Sequence, residues 1–562
     1  MADKVKVFAL SGLDEDGRDC YVVEVNNDIF VLDAGSSLPD KTIPGVDALL
    51  PNVDYLIENK DRIAAYIITH GHDEAFGALR FFYKYAKAPV YCSQTTMTVI
   101  EGTLAIAGDS VTKFDFKVIK PSDKVTIRNR EVKFFQTCHN AANSSGVAIS
   151  TDQGNVIYTG DFIINFATEE TNYSFDLKMA SEIAEEKTLL LLCESKGADL
   201  PGYCSPKHRV NDQLDKYFKA GKRIFAICYW QNMYRVRELV RLAKKYNKKL
   251  YCYDNYTEIV MKQIIAASGT ANISASDFVS KEDFLRVKKS DLLILMVGSS
   301  DDIFHETQTL AKGMNSDKRI QIEPSDIFIN VALPRVSFET LCTRTMDMVY
   351  RTGCEVVWLK SKNVSAMHAR EDDIRFVLNL FKPQYYLPVR GYYTKIMENA
   401  QLAVSLGLGL NHTNVFVLDN GMQLIFEAGK RPVILPNEVT GVDISPILVD
   451  GRGLTTYSEE VIGARQKMGV DGTVVVACTI SKSQNKIIAG PDCQMRGFVY
   501  AKEAEPLLKS VTQIFVEEIS AALTAHSDIE KAKEMAADRM RRFIKRENGR
   551  EPLIELLVIE ID

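Results

Sequence analysis

The sequence predicts an α/β chain in which sheets and helices are layered over several domains. Three observations carry that expectation. The chain has 562 residues, and at roughly 100–200 residues per domain this gives about three or four domains. Short apolar runs in its first part end at His or Asp, as in sheet folds that keep their chemistry in loops at strand ends. From about residue 210 onward, helical and strand patterns alternate, the texture of a parallel sheet with crossover helices.

Tyr21–Val25 and Ile29–Leu32 flank Asn26-Asn27-Asp28 and read as a hairpin. Ala64–Thr69 reads as a strand ending directly in His70, with a helical pattern over Glu74–Lys87 behind it. Val132–Gln136 ends three residues before His139. Gly146–Ser150 and Asn155–Thr159 flank the turn Thr151-Asp152-Gln153-Gly154, and the second of them ends next to Asp161. Met233–Tyr246 has helical apolar spacing, and Leu250–Tyr253 and Leu292–Val297 look like buried parallel strands. Val356–Leu359, a helix from about Asp372 to Phe381 and the strand Tyr385–Val389 return to the earlier style. Pro432–Gly453 is rich in Pro, Gly and Asp and reads as a linker. A small α+β domain follows. Its strands are Val474–Cys478, Gly497–Val499 and the terminal Leu553–Ile559, with helices at about Ala501–Ala522 and Asp528–Arg546.

Hydrophobic residues make up 46% and charged residues 25%, which excludes global disorder. Lys+Arg total 68 against Asp+Glu 74, so the net charge of -6 argues against a chain-wide basic coat for nucleic acid. A local basic groove stays compatible with it. The N-terminus lacks the apolar core of a signal peptide, and no apolar run is long enough for a membrane span. The 11 Cys are scattered and never spaced C-x-x-C, which argues against a disulfide scaffold or a thiolate zinc knuckle. Free, mostly buried thiols in a reducing cytoplasm are expected. The basic run Arg539, Arg541, Arg542, Lys545 and Arg546 is interleaved with Asp and Glu and reads as a solvated helix face.

The strongest signal is Thr69-His70-Gly71-His72-Asp73-Glu74-Ala75-Phe76-Gly77. Two His one residue apart, in a loop after a strand, can face one ion. His139 and Asp161 also sit at strand ends. Three imidazoles and a carboxylate are a suitable set for Zn²⁺ or Mn²⁺. A lone His is more often a plain surface residue, but three of only 8 His at equivalent places favour a metal.

The loop resembles the H-x-H-x-D-H signature of metallo-β-lactamase-fold hydrolases. The resemblance continues through Gln136-Thr137-Cys138-His139, Thr159-Gly160-Asp161-Phe162, Pro201-Gly202-Tyr203, Lys382-Pro383, Pro388-Val389-Arg390-Gly391 and Arg496-Gly497-Phe498-Val499-Tyr500. Nearly the whole chain is thereby similar to the ribonuclease J family. The resemblance implies an αββα sandwich in two segments, 1–208 and 352–431, interrupted by an α/β β-CASP domain at 209–351. It also implies a linker at 432–454 and an oligomerising α+β domain at 455–562. The implied activity is 5′-3′ exo- and endoribonuclease action in mRNA decay and rRNA maturation.

The departures from the family pattern shape the rest of the expectation. One implied metal site, His70, His72, His139 and Asp161, is complete. The other would be built from the positions of Glu74, Ala75, Asp161 and Arg390, where two imidazoles are missing. Arg stays protonated and offers no lone pair, so at most one divalent ion, Zn or Mn, is expected. A guanidinium beside Glu74 and Asp161 is expected to replace the second charge, with contact to an RNA phosphate as an alternative for Arg390. Glu194 and His368 are the catalytic candidates, although His368 also reads as a solvent-facing residue before a helix. The phosphate loops depart from the family at Ser299, Ser300, Asp301 and Arg335, and Ser299, Ser300 and Arg335 stay candidates for phosphate. The expected protein binds RNA, has weak or absent activity alone and acts in complex with an active paralogue. A homodimer or tetramer through the C-terminal domain is expected too. The alternatives are an active single-metal ribonuclease and a purely structural subunit.

Overall fold

The computed structural model describes residues 2–39, 43, 45–109, 112–166, 171–268, 274–299, 301–449, 459–497 and 504–561. They form two compact units, one from residues up to 38 together with 48–447, the other from 39–47 and 448 onward.

The first unit holds three sheets. An eight-stranded sheet runs in the order Val433–Leu435, Gln423–Glu427, Lys4–Ser11, Cys20–Val25, Asp28–Leu32, Ile63–Ile67, Val90–Ser93, Phe116–Ile119. A six-stranded sheet runs Tyr385–Val389, Thr188–Glu194, Asn155–Tyr158, Ser144–Ile149, Arg130–Thr137, Lys124–Ile127. Alternate residues of the first sheet, such as Val5, Val7, Val23, Val25, Phe30 and Leu32, share one core with Val132, Phe134, Val147 and Leu192 of the second. The two sheets are therefore stacked face to face, as the two-residue period of a strand dictates.

Helices cover the outer faces. Phe135, Ala148, Ile157 and Leu191 pack outward against Leu177–Ala184, Glu371–Phe381 and Tyr393–Ser405. On the other sheet, Tyr66 meets Phe82 of the Leu79–Tyr85 helix and Phe8 meets Tyr55 of Asp54–Glu58. The result is the expected α/β/β/α layering.

The third sheet is wholly parallel, in the order Lys249–Cys252, Leu292–Gly298, Ile224–Tyr229, Ile327–Asn330, Glu355–Trp358. The last strand pairs Val356 with Phe328 and Trp358 with Asn330. This unit therefore extends beyond the expected end at 351, because the strand that follows completes its edge.

In the second unit Val474, Val476, Cys478 and Ile480 face one way. They meet Val511, Phe515 and Ile519 of Ala504–Thr524 and Ala532, Ala536, Met540 and Ile544 of Ile529–Asn548. The four-residue spacings put one stripe of each helix on the sheet. Asp528 caps the second helix by accepting from Glu530 N, and Gly549 ends it in a left-handed conformation.

Two expectations need correction. Glu74–Lys87 is two helices, Asp73–Phe76 and Leu79–Tyr85. The break comes where Ala78 N donates to Ala34 O instead of a helical carbonyl. The stretch from Pro432 is not a bare linker: Val433–Leu435 pairs with Gln423–Ile425 on the sheet edge, and Asn437–Thr440 is helical. A strand at Lys486–Arg496 precedes the expected Gly497–Val499, most of which lies outside the described residues. Phe498, Val499 and Tyr500 lie outside the described residues. The basic C-terminal run is indeed a paired helix face. Arg539 meets Glu517 and Glu518, Arg541 meets Asp538 and Lys545 meets Glu551. All 11 cysteines are free. Among the described residues no helix is long and apolar enough to cross a membrane.

Candidate metal centre

His70 and His72 leave the end of Ile63–Ile67, His139 follows Arg130–Thr137, and Asp161 follows Asn155–Tyr158. One strand is thus from the eight-stranded sheet and two are from the six-stranded sheet. Gly160, at φ +57°, makes the turn that swings Asp161 inward. Gly35 is needed for a different reason. A Cβ there would collide with the Glu74 carbonyl oxygen, so this approach of the Ala34-Gly35 loop to the His70 loop admits no side chain.

The three imidazoles converge, with ring centroids 4.6, 5.0 and 5.1 Å apart. Their far nitrogens are fixed by hydrogen bonds. Thr69 Oγ1 donates to Asp33, 3.0 Å away, and so accepts from His70 Nδ1 at 2.8 Å. His139 Nδ1 donates to the Met367 carbonyl at 2.7 Å, and His72 Nε2 donates to the Gln231 carbonyl at 2.9 Å. These partners set the tautomers and leave His70 Nε2, His139 Nε2 and His72 Nδ1 with lone pairs facing one another. One donor atom from each lies within 4.8 Å of the others. His70 Nε2 and His139 Nε2 are buried without a partner, as is Asp161 Oδ2. That oxygen lies 3.8 Å from His70 Nε2 and 3.5 Å from His139 Nε2. Burial holds both imidazoles well below their ordinary pKa, so they stay neutral. Orphaned, neutral nitrogens beside an orphaned carboxylate oxygen fit a divalent ion.

The other side of Asp161 is occupied by protein. Arg390 Nε lies 2.6 Å from Asp161 Oδ1, its Nη2 lies 3.3 Å from Glu74 Oε1, and its Nη1 pairs with Asp19. The guanidinium is buried and pushed down only to about 10, so it remains a cation at neutral pH. Ala75, also buried, contributes no donor. Asp19 completes this cage and was not singled out by sequence. It precedes the apolar strand Cys20–Val25, and that position was the available signal. Lys196 was missed as well. It pairs with Asp16 at 2.6 Å, and the carboxylates of Asp16, Glu74 and Asp161 raise its pKa against the effect of burial.

Glu194 is fully buried. Its Oε1 accepts from Phe162 N and Ala369 N at 2.8 and 3.0 Å, and its Oε2 meets His368 Nδ1 at 2.9 Å. His368 also lies 3.5 Å from Asp161 Oδ2, so it faces the centre and not the solvent. With both oxygens committed, Glu194 is a positioning residue for His368. Arg335 is exposed, with Glu74, Asp16 and Asp73 in electrostatic reach. Ser299 is hydrogen-bonded to Tyr256. Ser300 lies outside the described residues.

Residues 13–201 match the model of the metallo-beta-lactamase superfamily, and residues 460–561 match that of the ribonuclease J C-terminal domain. Ribonuclease J2 of Bacillus subtilis is 27% identical over 562 residues, covering 100% of this chain and 99% of its own. The chain belongs to the ribonuclease J family. Ribonuclease J 2 of Streptococcus pyogenes is 28% identical and covers 99% of both chains, and ribonuclease J 1 of the same organism is 27% identical over 100% and 98%. A crystal structure of a protein of unknown function from Enterococcus faecalis shares the fold at TM-score 0.52. It is 14% identical and covers 75% of this ribonuclease J-family chain.

Proposed function

We propose that this protein binds RNA in the cleft around His70 and His368, holds one divalent ion, and hydrolyses phosphodiesters weakly or not at all when alone. The observation that carries the reading is the Arg390 guanidinium among Asp19, Glu74 and Asp161. Three carboxylates and one guanidinium leave a local charge that one divalent ion on neutral His70, His72 and His139 would balance. A second ion would have to displace a buried cation. When bound, a divalent ion in the His set supplies Lewis-acid activation of a water and a phosphodiester oxygen. His368, held by Glu194, is placed to hold or deliver a proton beside Asp161. Arg335 supplies positive charge at the cleft rim, and Ser299 stays a candidate for phosphate. The parallel sheet is assigned to the β-CASP insertion.

The proposed setting is mRNA decay and rRNA maturation in the cytoplasm, in complex with an active family member. Self-association is assigned to the C-terminal unit, where Leu557, Ile559 and Ile561 leave an apolar strand face exposed. A second reading, a working single-metal ribonuclease, is favoured by the intact Glu194–His368–Asp161 contact.

The test is metal analysis together with hydrolysis of 5′-monophosphorylated RNA. One Zn²⁺ or Mn²⁺ per chain and slow or no mononucleotide release are expected. Two tightly bound ions would overturn the reading, and fast release by the protein alone would favour the second one. Ala75→His with Arg390→His is expected to raise activity.

A further inference from the structure

The loops after the parallel strands line up at one end of their sheet. After Ile224–Tyr229 comes Gln231, which touches His72 and Asp73. After Ile327–Asn330 comes Arg335, within reach of Glu74 and Asp16. After Glu355–Trp358 comes Lys360–Asn363, which runs on to Met367 and His368. The edge strand borders a groove of about 670 Å³ whose lining includes Asp212, Lys216, Tyr217, Tyr350, Trp358 and Lys360. Lys216 lies 4.8 Å from the Tyr217 ring centroid and Lys360 lies 4.2 Å from that of Trp358. Tyr350 is 53% exposed.

We infer that this groove is a second subsite for single-stranded RNA, continuous in the chain with the cleft, where bases stack on Trp358 and Tyr217 and Lys216 and Lys360 hold phosphates. The inference rests on the RNA-binding reading above.

Charge and ring chemistry favour this occupant. Neither Lys216 nor Lys360 has a carboxylate partner among the described residues. Of the acids nearby, Glu355 is paired with Lys222 at 3.0 Å and Asp215 with Lys245 at 2.6 Å, while the carboxylate of Asp212 lines the groove against the two lysines. Lys219, Arg351 and Lys362 are exposed close by in sequence. In a chain of net charge -6, this cluster stands out as a cationic surface. Aromatic faces flanked by lysines are the general design for single strands, since every base has a face to stack. A β-strand peptide is the poorer fit. The edge strand has four residues, and every second one, Glu355 and Val357, turns its backbone inward to Ile327–Asn330. That leaves an added strand few pairing sites. Eight Cα-to-Cα steps lead from Lys360 to His368, at most about 28 Å when extended. An RNA of several nucleotides can therefore engage both places, whereas a very short one reaches only one.

The test compares labelled phosphorothioate oligouridylates of four and sixteen nucleotides on the full chain, by fluorescence anisotropy. For the sixteen-mer, Lys216→Ala with Lys360→Ala is expected to weaken binding about 10-fold. The same change should reduce the slope of log affinity against log salt by about 1.4, two single-strand phosphates' worth. Trp358→Ala is expected to weaken it about 5- to 10-fold, while the four-mer binds all variants alike. The two lysines are on the surface, so that variant reports even where loss of Trp358 disturbs the fold. Wild-type affinity for the sixteen-mer in both variants would overturn the subsite and leave the groove to a protein strand. Failure of the wild-type protein to bind either length would overturn the RNA-binding reading itself.

Discussion

Thr69 shows how much of the centre depends on groups that never touch an ion. Its single hydroxyl proton goes to Asp33, so the hydroxyl can only accept from His70 Nδ1. Thr69→Val removes the acceptor and frees the imidazole to tautomerise or turn. Zn²⁺ affinity, measured by chelator competition, is expected to fall about 10- to 100-fold. Thr69→Ser should restore it, which a purely packing role would not. Arg390 makes the opposite kind of prediction. It is held in a left-handed backbone at φ 58°, a conformation that costs about 1–2 kcal/mol outside glycine. Its salt bridges must outweigh that cost. Arg390→Met leaves Asp19, Glu74 and Asp161 uncompensated, and the metal-free protein should lose about 3–5 kcal/mol in denaturant titration. Added Mn²⁺ should return more stability to this variant than to the wild type, because a cation can then enter among the three carboxylates.

Secondary elements were legible in the sequence where strand ends carried the chemistry. The Thr69-His70-Gly71-His72 loop, His139 and Asp161 each follow an apolar run, and the structure brings them together. The Arg390 expectation also has its geometric counterpart, with the guanidinium against Glu74 and Asp161. Asp19 offered only its place before an apolar strand and Lys196 offered nothing, because their partners are distant in the chain and local pattern does not show pairing. Glu355–Trp358 was visible as a strand, but which sheet it joins depends on pairing with Ile327–Asn330, not on its own residues. Gln231 was hidden for the same reason. Its carbonyl accepts from His72 and its side chain donates to Asp73 Oδ2 at 2.7 Å, joining the parallel sheet to the metal loop. Gln231→Ala should cost about 1 kcal/mol and raise amide hydrogen exchange in peptides spanning the 70–76 loop. Unchanged exchange would mean that this contact does not hold the loop.

Acid stability of the folded chain should report a buried base away from the centre. His208 is fully buried against Tyr234, ring centroids 5.2 Å apart, with the charges of Arg209 and Arg235 in reach, and Arg235 is itself paired with Glu238. Burial first, then Arg209 and Arg235, lower its pKa from 6.5 to about 3. The sign follows from linkage. Between those values the unfolded chain binds a proton that the folded chain refuses, so stability falls as pH drops through this window. Each pH unit costs about 1.4 kcal/mol while the difference persists. His208→Phe keeps a ring beside Tyr234 and removes the titration. Between pH 6.5 and 4.5, urea titration should show the variant losing about 2 kcal/mol less than the wild type. His70 and His139 are lowered in the same direction, so the wild-type slope contains their share and the comparison must be made at equal metal loading. Parallel pH profiles for the two proteins would show that His208 is protonated within the fold, and that its burial is relieved by local opening before the chain unfolds.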